Sequence, residues 1–164
     1  MMENKFNTEQ NCEFETSKIS RNFCGSKIPS KNFRICKTEE EWKKELGDRY
    51  EILRGKGTEA PFTGTFLYNK EEGVYVCGAC RNKLFSSETK FDSGTGWPSF
   101  SEVISSDKIM LKQDKSLGMK RTEILCRRCG SHLGHVFSDG PKSTGKRFCI
   151  NSEALNFVKK KNEK

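Results

Sequence analysis

The sequence predicts a mainly antiparallel β fold with short helices at its front, and three observations carry that expectation. Short apolar runs recur at close spacing from residue 66 onward, separated by turn-forming stretches, and residues 147–151 alternate with the two-residue period of a strand. Helix signals are confined to residues 38–55. Two Cys-x-x-Cys pairs, Cys77/Cys80 and Cys126/Cys129, each close an expected strand. With 164 residues, 33% hydrophobic and 32% charged, the chain reads as one domain whose modest core benefits from a staple. Residues 1–35 are expected to form a flexible extension, 36–158 the domain and 159–164 a basic tail.

Thr38-Glu39-Glu40-Glu41 is a capping box, because the threonine hydroxyl can accept from the Glu41 amide while the Glu41 carboxylate reaches back. Trp42 and Leu46, one turn apart, form the buried stripe of this first helix, and Gly47 ends it. A second short helix runs through Tyr50, Ile52 and Leu53 to Gly55. Residues 66–68 and 74–76 are expected to pair as a hairpin across Asn69–Gly73. Further strands are expected at 83–85, 109–111, 122–125, 136–137 and 147–151, with a long loop built on Gly94, Gly96 and Pro98 from Asp92 to Phe100.

The two Cys-x-x-Cys pairs are separated by residues 81–125, enough chain for a sheet that returns to the same place. Four thiolates from Cys77, Cys80, Cys126 and Cys129 would then make a closed tetrahedral site for one structural zinc ion. Zinc-finger peptides put the apparent binding energy of such sites at about 10–16 kcal/mol. Two disulfides or a redox dithiol are the other readings of the pairs, but a redox Cys-x-x-Cys needs one pair and a βαβ setting.

Arg147-Phe148-Cys149-Ile150-Asn151 has the strand period, so Arg147, Cys149 and Asn151 share one face. A guanidinium favours a neighbouring thiolate and an amide can hydrogen-bond it. Taken alone, the five residues fit a structural cysteine on a half-buried strand equally well. His132 and His135 are the chain's two histidines and stand a few residues before Asp139 and Cys149, which points to acid–base work. Trp97 and Phe100, on the glycine-rich loop, either wall a small aromatic pocket or plug the core.

The net charge of +8 is spread along the chain, without a recognition helix or an aromatic RNA platform, so nucleic acid is not an expected partner. No membrane-spanning run and no apolar leader core are seen. The expected location is the cytoplasm, with the mitochondrion as the alternative, and the expected state is a monomer. Cys12, Cys24 and Cys36 lie outside the pairs and read as ordinary thiols or redox partners.

Thr58–Gly64, both Cys-x-x-Cys pairs, Ser93–Phe100, Arg121-Thr122-Glu123, His132–Phe137, Asp139-Gly140-Pro141, Thr144-Gly145 and Arg147–Asn151 together resemble the type B peptide-methionine sulfoxide reductases. The resemblance spans about residues 40–157. It implies two antiparallel β-sheets, a structural zinc away from catalysis, and reduction of the R epimer of methionine sulfoxide, mainly in proteins. It further implies Cys149 as nucleophile, Trp97 as the wall for the ε-methyl group, His132 and His135 as acid–base pair, and Asp139, Arg147 and Asn151 around the sulfoxide. Many members carry a resolving cysteine where this chain has Thr95. Regeneration is therefore expected through thioredoxin or another thiol, or through Cys12, Cys24 or Cys36. A zinc-ribbon binding module, which needs neither the histidines nor Cys149, is the competing reading, and a basic nucleic-acid binder the third.

Overall fold

Thr38 opens the helical front as its local chemistry dictates: its hydroxyl accepts from the Glu41 amide at 3.2 Å and its own amide donates to the Glu41 carboxylate at 2.7 Å. Helix α1 (Glu39–Leu46) buries Trp42 and Leu46, and after one 3-10 turn α2 (Tyr50–Leu53) buries Leu53. This computed structural model describes residues 33–161; the remainder, with Cys12 and Cys24, lies outside the described residues. The strands are β1 (Gly73–Cys77), β2 (Lys83–Ser86), β3 (Lys90–Phe91), β4 (Ser99–Phe100), β5 (Ile109–Asp114), β6 (Arg121–Cys126), β7 (His132–Phe137), β8 (Arg147–Ile150) and β9 (Leu155–Lys159). No helix among the described residues is long and apolar enough to cross a membrane.

Two antiparallel sheets result, one of three strands in the order β2-β1-β9 and one of six in the order β3-β4-β8-β7-β6-β5. Aromatic rings join them. Phe85 of β2 stacks on Phe100 of β4 with centroids 4.4 Å apart, and Tyr75 of β1 meets Phe100 edge-on at 5.1 Å. Full burial of such a side chain is worth about 1.5–3 kcal/mol, so this cluster is a major part of the core.

The structure departs from the sequence expectations at the ends of β1 and at both ends of the domain. Residues 66–68 form turns and not a strand. Both edges of β1 are already taken, Val74 pairing with Ser86 of β2 and with Val158 of β9, so a 66–68 hairpin has no edge to join. β9 runs into the stretch expected as a basic tail: Lys159 pairs with Gly73, and the Lys160 amide donates to Glu72 O at 2.8 Å. At the front, Ile35 N donates to Arg128 O at 3.0 Å, so the end of the expected extension is stitched to the domain.

Candidate active site

β8 alternates as its sequence requires. Phe148 and Ile150 point into the core, while Arg147 and Cys149 stand half-buried on the other face. Directly opposed residues of neighbouring strands project to one side of a sheet. The registers Lys112↔Glu123, Glu123↔His135, His135↔Cys149 and Cys149↔Ser99 therefore set a single row across β5, β6, β7, β8 and β4, with the thiol between an imidazole and a hydroxyl. Gly134 lets β7 and β8 close up there, since a Cβ on it would stand 2.0 Å from Cys149 O.

Histidines three apart on a regular strand face opposite ways. Here the register slips, Ile124 pairing with Gly134 but Leu125 with His132, so β7 carries one extra residue. The two imidazoles thereby meet edge-on with centroids 5.5 Å apart. Each is held by a carboxylate. His132 Nδ1 lies 2.8 Å from Glu123 Oε1, and Lys56 Nζ lies 3.0 Å from Glu123 Oε2. His135 Nε2 lies 2.8 Å from Asp114 Oδ2, which also faces Arg121 at 3.4 Å. Glu123 and His132 are only 1% and 2% exposed, and His132 Nε2 finds no hydrogen-bond partner among the described residues.

Burial pushes the Cys149 thiol above its ordinary range; the Arg147 charge and a hydrogen bond with the Thr95 hydroxyl pull the other way without overcoming it. The thiol is thus less ionised than its cationic neighbour alone would make it. Arg147 is bound to Asp139 through two hydrogen bonds, Nε to Oδ1 at 2.9 Å and Nη2 to Oδ2 at 3.0 Å, and its guanidinium lies 4.4 Å from the Phe137 ring centre. Asn151 does not turn its amide to the thiol. Its Oδ1 accepts from Glu59 N at 3.1 Å and its Nδ2 donates to Leu133 O at 3.2 Å.

Trp97 is half-exposed, its Nε1 donating to Glu59 O at 3.0 Å, which fits a wall and not a core plug. Its loop is knitted by hydroxyls: Ser93 Oγ is 2.8 Å from Thr95 Oγ1 and 2.7 Å from Ser99 Oγ. Phe100 is a correction. It pairs with Phe148, on the core side of the sheet, and is 0% exposed, so it cannot line a substrate pocket. Cys36 is exposed near the second Cys-x-x-Cys turn, following Ile35, which binds Arg128 O.

The four knuckle cysteines converge. Cys77 Sγ is 3.7 Å from Cys129 Sγ and Cys80 Sγ is 3.6 Å from Cys126 Sγ, all four within 4.8 Å of one another. A tetrahedron of sulfurs at about 2.3 Å from a zinc has edges of about 3.8 Å, so the cluster fits a metal ion of that size with no position left open. Asn82 Nδ2 donates to Cys126 Sγ at 3.5 Å, a supporting contact for that ligand.

Sequence reasoning missed Glu59, Asp114 and Glu123 as functional candidates. A charged residue in the run Arg121–Cys126, beside Ile124 and Leu125, was the available signal for Glu123. Asp114 gave none, and Glu59, though it lies in the Thr58–Gly64 stretch that carries the resemblance, has partners too remote in sequence for its contacts to be read there.

The SelR domain family model matches residues 46–159. A Methanosarcina barkeri protein named peptide methionine sulfoxide reductase MsrB is 66% identical over 122 residues, covering 74% of this chain and 86% of that protein. A Leptospira interrogans protein of the same name is 54% identical over 129 residues, covering 78% of this chain and 98% of its own. Mouse mitochondrial methionine-R-sulfoxide reductase B3 is 48% identical over 135 residues, 82% of this chain and 53% of that protein. With the matched span taking in both knuckles, the two imidazoles and Cys149, the chain belongs to the SelR domain family, the type B methionine sulfoxide reductases.

Proposed function

We propose that the protein reduces the R epimer of methionine sulfoxide, mainly in oxidised proteins and peptides, with Cys149 as nucleophile. The observation that carries this reading is the row His135–Cys149–Ser99, which sets a thiol beside an imidazole and next to the loop of the half-exposed Trp97. The indole would receive the ε-methyl group, while the imidazoles and Arg147 face the oxygen. An apolar side opposite a polar side distinguishes a sulfur centre from its mirror image; the assignment to R follows from the family.

Cys149 attacks as thiolate while His132 or His135 supplies the proton that the sulfoxide oxygen needs. In balance, the thiol and the sulfoxide give a thioether and a sulfenic acid: the methionine sulfur gains two electrons, the Cys149 sulfur loses two, and the oxygen passes to Cys149. One reductant thiol, from thioredoxin or a small molecule, then displaces water to form a mixed disulfide. A second releases Cys149 and leaves the reductant oxidised. A zinc held by Cys77, Cys80, Cys126 and Cys129 would supply structural stability only. A reducing compartment, the cytoplasm or the mitochondrial matrix, suits both the thiol cluster and this recycling.

The test is turnover of each epimer of a blocked methionine sulfoxide with a small dithiol, for wild type and Cys149→Ser. Consumption of the R epimer alone, abolished by the substitution, is the expected result. Equal rates for the two proteins would remove Cys149 from the reaction and favour a zinc-ribbon module.

A further inference from the structure

Glu59 touches three parts of the site at once. Its carboxylate accepts the amide of Ser152 at 2.7 Å and that of Glu153 at 3.1 Å, in the 3-10 turn that follows β8. Its backbone N–H donates to Asn151 Oδ1 at 3.1 Å, and its backbone carbonyl accepts the Trp97 indole N–H at 3.0 Å. The next residues return the stitch, Phe62 N donating to Gly96 O at 2.8 Å. Gly64 leaves the room required: a Cβ there would stand 2.2 Å from Ser152 Oγ and 2.6 Å from Glu59 Oε1.

Building on the reductase reading, we propose that Glu59 is a positioning residue, whose carboxylate pins the chain just beyond Cys149 and whose main chain thereby holds the Trp97 indole in place beside the thiol and fixes the Asn151 side chain. Charge-assisted bonds to two successive amides are strong and directional, and residues 60–63 are otherwise exposed. The charge itself opposes ionisation of Cys149, so its contribution lies in geometry and not in electrostatic activation. Misplacing a binding group by about 1 Å can cost on the order of a hundredfold in rate.

The test compares Glu59→Ala and Glu59→Gln in the full chain. For Glu59→Ala the KM for the R epimer of a blocked methionine sulfoxide should rise roughly ten- to a hundredfold, with kcat changing less. Alkylation of Cys149 by iodoacetamide should not slow. Glu59→Gln, which keeps an oxygen for the Ser152 amide, should recover most of the KM. The Trp97 indole NH resonance, assigned through Trp97→Phe, should move in Glu59→Ala and stay near its place in Glu59→Gln. An unchanged KM with an unmoved indole signal overturns the proposal, as does a joint collapse of turnover, alkylation and melting temperature in both variants. If wild type turns over neither epimer, the reductase reading fails, and the indole signal alone decides whether Glu59 holds Trp97.

Discussion

Arg147 grips Asp139 through two hydrogen bonds, at 2.9 and 3.0 Å, so the cation two residues from Cys149 is already partnered by an exposed carboxylate. The pull of Arg147 on the thiol is therefore shared, and burial keeps the Cys149 pKa raised. Substitutions of the two partners should move the thiol in opposite directions. Arg147→Ala should slow iodoacetamide alkylation of the Cys149 peptide at pH 7 about tenfold, one pKa unit's worth of ionisation. Asp139→Asn should quicken it by a smaller factor. Mass spectrometry of that peptide over time reads both, and changes of the same sign would exclude the shared-cation account.

Thr95, whose hydroxyl favours ionisation of the Cys149 thiol, stands where the family resemblance would put a resolving cysteine. A hydroxyl cannot condense with a sulfenic acid to give a disulfide. After one turnover without reductant, wild type should carry a sulfenic acid on Cys149 that dimedone traps. Thr95→Cys should lose the dimedone adduct and gain an internal disulfide, because the new thiol sits within reach. A disulfide from Cys149 to Cys12, Cys24 or Cys36 in wild type would instead assign recycling to those cysteines.

Much of this was legible in the sequence where the determinants are local. The Thr38 capping box needs four consecutive residues, and the Phe148/Ile150 alternation needs five. The cysteine pairs announce their own convergence. What escaped depends on distant partners. β9 reads as the approach to a charged tail until β1 offers it an edge, and β3 and β4 are two residues each, too short for any period to register. The bulge at Leu133 that turns both imidazoles together leaves no mark in composition. Glu59 acts on Trp97 and Asn151 through backbone atoms, which every residue possesses.

The buried carboxylates predict how the protein meets acid. Burial raises the Glu123 pKa, but hydrogen bonds from His132 and Lys56 more than offset it. Burial is likewise the largest single influence on Asp114, yet hydrogen bonds from His135 and Ser116 and the Lys56 charge together outweigh it and hold the carboxyl well below the carboxylate range. Burial lowers His135 below its ordinary 6.5, against the pull of Asp114. All three groups bind fewer protons folded than unfolded, so stability is full above pH 6.5 and declines as pH falls. His135 contributes first, just below 6.5, and the carboxylates follow below their ordinary values of 4.5 and 3.8. Glu123→Gln should cost about 1–3 kcal/mol at pH 7 through the buried hydrogen bond to His132. Its loss relative to wild type should shrink below pH 4.5, a comparison in which metal loss cancels. Curves that stay parallel to pH 3 would exclude Glu123 as a source of the acid limb.

The knuckles predict the largest stability effect. Cys77 ends β1, pairing with Leu155 of β9, while Cys126 ends β6, so one ion in the sulfur cluster would tie the two sheets together. Structural zinc is worth about 10–16 kcal/mol in small domains, whereas net stabilities run about 5–15 kcal/mol. Removing one ligand should therefore leave the fold marginal or lost. Wild type should hold one zinc per chain by atomic absorption, and Cys77→Ser should hold little and melt far lower by circular dichroism. Ser131 Oγ lies 3.2 Å from Cys129 Sγ, so Ser131→Ala separates support from ligation: it should weaken zinc retention against a chelator while leaving the metal content at one. Full metal content and an unchanged melt in Cys77→Ser would mean that the aromatic core between the sheets holds the fold without the ion.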